Sequence, residues 1–108
     1  MDTHVRRLTA SVSDDGKCMT IRIDGKFDFM LHLDFIDAIT GVSGPGTQFV
    51  LDMANVTSVD PAGLGMLLML RGYAGGDVAD VRVINCPQDI VRELEALRLN
   101  SLINIEPR

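Results

Sequence analysis

The chain has 108 residues, 46% apolar and 23% charged, with a net charge of −5. That length supports one core and a single domain spanning residues 1–108, and the composition excludes a disordered chain. The acidic balance supplies no cationic footprint for nucleic acid or anionic membranes, and no apolar run reaches the ~20 residues of a membrane span.

The start of the chain, Met1 to Arg7, is polar and basic, and no signal-peptide core follows it. The expected location is the cytoplasm, where Cys18 and Cys86 read as free, small buried thiols in a reducing compartment. Leu8–Val12 and Met19–Asp24 each alternate apolar and polar residues with period two. Between them, the Asp15-Gly16 pair marks a turn, so the two runs read as a β-hairpin. After Gly25 the period changes. Asp28 is suited to cap a helix whose apolar positions are Phe29, Leu33, Ile36 and Ile39. The stretch Gly41-Val42-Ser43-Gly44-Pro45-Gly46 ends that helix in a loop.

Phe49-Val50-Leu51 is a continuous apolar run, as expected of a strand covered on both faces. A polar stretch, Asn55–Val59, leads to Asp60-Pro61, a preferred cap and first helical residue. The helix so opened runs through Leu64, Met66, Leu67, Leu68, Met69 and Leu70 to a stop at Gly75-Gly76. Val81–Ile84 is the next strand. Pro87 opens a helix with Ile90, Val91, Leu94 and Leu97 on one face and Arg92, Glu93, Glu95 and Arg98 outside. Leu102–Ile105 reads as a short last strand. The order β-β-α-β-α-β-α-(β) predicts an α/β fold, a mixed sheet with helices packed on it.

Signs of catalysis are lacking. His4 and His32 have no second ligand at a metal spacing and read as a terminal and a helix-surface histidine. No Cys-x-x-Cys pair and no Ser-His-Asp order can be assembled. Gly41–Thr47 resembles a phosphate loop only superficially: it holds no lysine and leads into a strand rather than a helix N-terminus. The expectation is a non-enzyme without metal or other cofactor.

One segment departs from generic core. From Leu64 to Leu70 the helix is apolar almost all round, and a chain this short can hardly surround it. Met66 and Met69 are adaptable side chains suited to a core gap or to a protein-binding surface. Gly63 and Gly65 leave backbone open to close approach, from the sheet or from another protein.

The same segment resembles the signature of the STAS domain, typified by the bacterial anti-sigma-factor antagonists. In that family a strand ending in Leu-Asp runs into a Val-x-x-(Val/Ile/Met)-Asp-Ser-(Ser/Ala/Thr)-Gly-Leu-Gly motif that opens a helix. Here it is Leu51-Asp52, then Val56-Thr57-Ser58-Val59-Asp60-Pro61-Ala62-Gly63-Leu64-Gly65. Gly25-Lys26-Phe27-Asp28 matches a second element, Gly-x-(Leu/Phe)-Asp, and Val81 to Ile105 matches the closing strand, helix and tail. The resemblance covers Leu8 to Ile105 and implies a STAS-like mixed sheet, an N-terminal hairpin plus parallel strands.

The resemblance implies a partner-switching module that docks on a kinase-like anti-sigma factor, a GHKL-type serine kinase, through Asp28, Ser58, Asp60, Pro61, Ala62, Gly63, Met66 and Met69. Leu70 is a further candidate for that contact. Asp60 would cap the helix and hold the site in its binding geometry, and Asp28 would help present it. The serine that the partner kinase modifies precedes the motif glycine, and Ala62 stands there instead. Pro61 also lacks a hydroxyl, so the usual switch cannot operate at either position. Thr57 and Ser58 are nearby hydroxyls, read as loop polar residues. An alternative partner is an ABC ATPase subunit. Some STAS domains are small subunits of membrane lipid-transport ABC complexes with Asp-Thr-Ala-Gly-Leu at this point, and Ala62-Gly63-Leu64 matches that variant except for Pro61. Nucleotide binding has been proposed for the fold in general, but no phosphate loop supports it here.

Overall fold

Alternation and turn chemistry produce the hairpin. The structure, a computed structural model, describes residues 7–41 and 46–108. His4 and most of the Gly41–Gly46 loop lie outside the described residues. Strand β1 (Leu8–Val12) runs antiparallel to β2 (Cys18–Phe27), pairing Leu8 with Ile23 and Val12 with Met19. Gly16 takes a positive φ of 72° in the turn, and Asp15 accepts hydrogen bonds from the Ser13 hydroxyl and the Lys17 N–H. Cys18, expected to be buried, lies half-buried at the start of β2.

From β2 onward the chain winds in one direction. Helix α1 (His32–Thr40) leads to β3 (Gln48–Val59), α2 (Pro61–Tyr73) to β4 (Val81–Cys86), and α3 (Gln88–Ala96) to β5 (Asn104–Pro107). The sheet order is β1-β2-β3-β4-β5, with every pair after the hairpin parallel. Crossovers of one hand, repeated in one direction, put all three helices on the same face. Burial agrees. Ile21, Ile23, Phe49, Leu51, Met53, Val81 and Val83 are buried, whereas Thr20, Arg22, Val50, Asp52, Arg82 and Ile84 alternate with them and stay partly open. Val50 therefore lies on an open face, and the sequence expectation of a strand covered on both sides is corrected. The open face is held by polar pairs, among them Arg82 with Glu106 at 2.6 Å and Asn85 with Asp52 at 3.2 Å.

Two element boundaries move for a physical reason. The polar stretch Asn55–Val59 belongs to β3, although its pattern does not alternate. Register shifts against β2 insert an extra β3 residue after Asp52 and another after Val56. The inward residues Met53, Val56 and Val59 thus fall three apart instead of two. In α1 the phase differs from expectation. Leu31, Phe35 and Ile39 form the buried stripe, and Phe29 and Leu33 point outward, 67% and 75% exposed. Phe35 fixes that phase by packing on Phe27, ring centroids 5.9 Å apart. Leu97 lies beyond the end of α3 and is exposed, because Arg98 turns left-handed at φ 60°. The last strand starts at Asn104 rather than Leu102.

Helix α2 approaches the sheet closely at Gly63. A Cβ there would lie 2.4 Å from the Phe27 carbonyl oxygen and 3.0 Å from a Val59 methyl. Gly63 is buried, so of the two close approaches expected there the structure shows the one from the sheet. Gly65, one step on, would place a Cβ in open space. Gly63→Ala should therefore lower stability by about 1–3 kcal/mol, through backbone that must shift. Gly65→Ala should raise it by about 0.5–1 kcal/mol. Urea unfolding midpoints of the two variants check both signs.

Candidate functional site

The ends of two parallel strands meet the start of one helix. Phe27, the last residue of β2, pairs with Val59, the last of β3. The Phe27 carbonyl accepts the Asp60 N–H at 3.2 Å, and Asp60 then turns the chain into α2. Its carboxylate Oδ1 accepts the Gly63 N–H at 2.9 Å. Pro61 occupies the first helical position, where no N–H donor is needed. Pro61, Ala62 and Gly63 thus make the first turn, with Gly63 inward, Pro61 exposed and Ala62 half-buried on the outer side.

Asp28 holds a second helical start beside the first. Its Oδ1 accepts the Met30 N–H at 3.0 Å and caps the 3-10 turn Phe29–Leu31, which precedes α1 rather than forming part of it. Arg7 braces this corner. Its guanidinium donates to the Lys26 carbonyl and lies 3.4 Å from the Asp28 carboxylate. In the sequence Arg7 ends a polar, basic segment, and no local pattern marks a pair separated by 21 residues.

The outer side of α2 borders a groove of about 250 Å³ lined by Phe29, His32, Ala62, Gly65, Met66 and Met69. The structure thus brings Ala62, Met66 and Met69 together, next to the Asp28 and Asp60 corner. Two predicted contributors are corrected. Met66 is only 4% exposed and Leu70 is fully buried, because both lie on the face of α2 that packs into the core. The exposed apolar area comes instead from Phe29, Met30 and Leu33, which the sequence analysis did not single out as surface. The i, i+4, i+8 series Leu31, Phe35 and Ile39 was the available signal. Thr57 and Ser58 are exposed hydroxyls on β3, with Ser58 opposite Lys26, and not loop residues.

Among the described residues, no three His, Cys, Asp or Glu side chains gather as metal ligands, and every buried side-chain nitrogen or oxygen has a partner. His32 sits against Phe29, ring centroids 5.4 Å apart. Cys86 is buried, and burial, with a smaller push from the Asp89 carboxylate, raises its thiol to about 11. It is a neutral packing group at neutral pH. No helix among the described residues is long and apolar enough to cross a membrane.

The comparisons agree with this geometry. A family model described as "Mlab, STAS domain" matches residues 10–104. The chain belongs to the STAS domain family. A STAS-domain containing protein of Pseudomonas aeruginosa (strain UCBPP-PA14) is 40% identical over 98 residues, covering 91% of this chain and 97% of that protein. The solved structure of the anti-sigma factor antagonist SpoIIAA in its unphosphorylated form is similar in fold. Its TM-score is 0.64 at 12% identity, over 82% of this chain and 81% of that one. The α/β sheet with an N-terminal hairpin is the STAS fold, resembling that of an anti-sigma factor antagonist.

Two measurements test the local chemistry. Asp60→Ala should cost about 0.5–2 kcal/mol by releasing the Gly63 N–H, and Asp60→Asn should recover most of it, as read by thermal melting. For Cys86, folded and unfolded states are both protonated below about pH 9. Above it the unfolded chain loses its proton first, so stability falls as pH rises from about 9 towards 11. The slope contributed is up to about 1.4 kcal/mol per pH unit. Urea midpoints at about pH 8 and pH 10 should diverge more in the wild type than in Cys86→Ala.

Proposed function

We propose that this STAS chain acts as a single cytoplasmic domain, a non-catalytic partner-switching module that docks on a kinase-like anti-sigma factor through the first turn of α2. The carrying observation is the uncharged first turn Pro61–Gly63, with Pro61 exposed and Ala62 half-buried on its outer side. It is held at one end by the Asp60 carboxylate and pressed at the other against the Phe27 carbonyl. Such a turn presents the same shape before and after binding, so little ordering entropy is lost on association. Asp28 and Ser58 flank it, and Met66 and Met69 line the adjoining groove. With Ala62 in place of a hydroxyl residue, the turn stays in the uncharged form that favours docking. No cofactor is needed for that role.

A second reading, a small subunit bound to an ABC ATPase of a lipid-transport complex, has two supports. Ala62-Gly63-Leu64 fits that variant of the motif, and the matching family model carries the name Mlab. Affinity capture from the native cell separates the two: a GHKL-type kinase favours the first, an ABC ATPase with a permease the second.

A charge at position 62 separates docking from folding. Ala62→Glu puts a carboxylate at the positive end of the α2 dipole and should leave the fold unchanged or stabilise it by about 0.3–1 kcal/mol. In a docked, desolvated contact the same charge is unpaired and should weaken partner binding by roughly tenfold or more. Melting temperature and titration calorimetry with the captured partner give the two readings. A folded variant that binds as tightly as wild type removes the first turn of α2 from the interface.

A further inference from the structure

Phe29, Met30 and Leu33 are 67%, 78% and 75% exposed, and they cluster where the 3-10 turn enters α1. With His32 they line a groove of about 450 Å³. It adjoins the smaller groove along α2 across the stacked pair Phe29 and His32, which lines both, so the two together form an apolar depression beside α2. Gly65 lies in that depression. Unlike Gly63, it meets nothing that would exclude a side chain, so no internal contact calls for glycine there. Its missing side chain keeps the depression open, at a cost to helix stability.

The charge around this surface is mostly acidic, and Arg7 at its edge is already paired with Asp28. From Phe27 to Leu70 the sequence holds five aspartates and no lysine, arginine or glutamate. The remaining ten acidic and ten basic residues cancel, so the whole net charge of −5 resides in this stretch. Asp34 and Asp37 are exposed on α1, Asp60 is exposed at the start of α2, and the first cation of α2 is Arg71 in its last turn. An anionic lipid surface is repelled by such a rim, and a second copy of the chain would oppose two acidic rims. A cationic amphipathic helix satisfies both features: apolar residues at i, i+3, i+4 and i+7 fill the depression and Lys or Arg face the carboxylates.

We propose that the depression between the Phe29–Leu33 segment and α2 binds a cationic amphipathic helix of the partner protein. This deepens the docking reading above and names the chemistry of the partner segment. The test uses the full chain, isotope-labelled for amide NMR. It is titrated with a synthetic Leu/Lys amphipathic helix of about 18 residues and with a Leu/Glu peptide of the same pattern. The Leu/Lys peptide should shift residues 29–33 and 62–69, and its affinity should fall at least tenfold between about 50 and about 500 mM salt. The Leu/Glu peptide should shift none of them. Leu33→Ser and Gly65→Leu, each shown folded by its spectrum, should weaken binding tenfold or more, whereas Gly72→Ala, at the far end of α2, should not.

Absent or displaced shifts overturn the proposal, as does equal binding of both peptides. So does a stronger effect on the same residues from phosphatidylglycerol vesicles or from raising the protein concentration alone. The captured partner distinguishes this failure from that of the docking reading. If Ala62→Glu breaks the complex while Leu33→Ser and Gly65→Leu do not, the groove proposal falls and the first-turn interface stands. If the groove variants break it and Ala62→Glu does not, the reverse holds. If none breaks it, both fall.

Discussion

The approach of Gly63 to the Phe27 carbonyl sets the position of everything at this end of the molecule. One backbone oxygen receives the Asp60 N–H and also forms the surface on which α2 rests, with room for a hydrogen and not for a methyl. The end of β2, the end of β3 and the start of α2 are thereby locked to one another. Asp60 completes the lock from the helix side and Asp28, braced by Arg7, from the α1 side. A surface turn would ordinarily be the mobile part of a small domain. This one is tied by buried backbone and by the capping Asp60 carboxylate, and it presents Pro61 and Ala62 in a fixed place.

Topology decides what kind of function such an end can host. Sheets wound in both directions open a crevice where the strand order reverses, and ligands collect there. Here the parallel strands advance in one direction from β2 to β5, so the described strands contain no reversal. The helices share one face, and the strand ends are capped by the first turns of α1 and α2 instead of diverging around a cavity. What remains is a shallow apolar surface with exposed aspartates on the neighbouring helix and at the start of α2. The one strongly shifted thiol, Cys86, is buried away from this surface and serves packing.

The two glycines of the motif divide the work. Gly63 answers an internal steric demand, and Gly65 answers none. The same contrast separates the apolar residues. Leu31, Phe35, Met66, Leu67 and Leu70 hold the core together, while Phe29, Met30 and Leu33 are left outside it by the phase of α1. Core packing and exposed apolar surface are thus supplied by neighbouring residues of similar chemistry, told apart only by which side of a helix they occupy.

Local chemistry alone determined much of this. The Asp15-Gly16 turn, the Asp60-Pro61 start of α2, the Gly75-Gly76 stop and the buried face of α3 are each written within a few residues, because capping and turn conformations are short-range interactions. The Gly-Lys-Phe-Asp and Asp-Pro-Ala-Gly elements were legible for the same reason, and with them the STAS fold. Tertiary structure decided the rest. The β3 bulges are set by pairing with β2 and by the Gly25 backbone, 31 residues away, so Asn55–Val59 does not read as strand. The phase of α1 is set by Phe35 finding Phe27 across the core. Arg7 meets Asp28 only once β1 lies beside β2. Which methionine faces outward follows from the rotation of α2, and that rotation is fixed by Gly63 against the Phe27 carbonyl. A contact between residues 36 apart leaves no trace in the pattern of either segment.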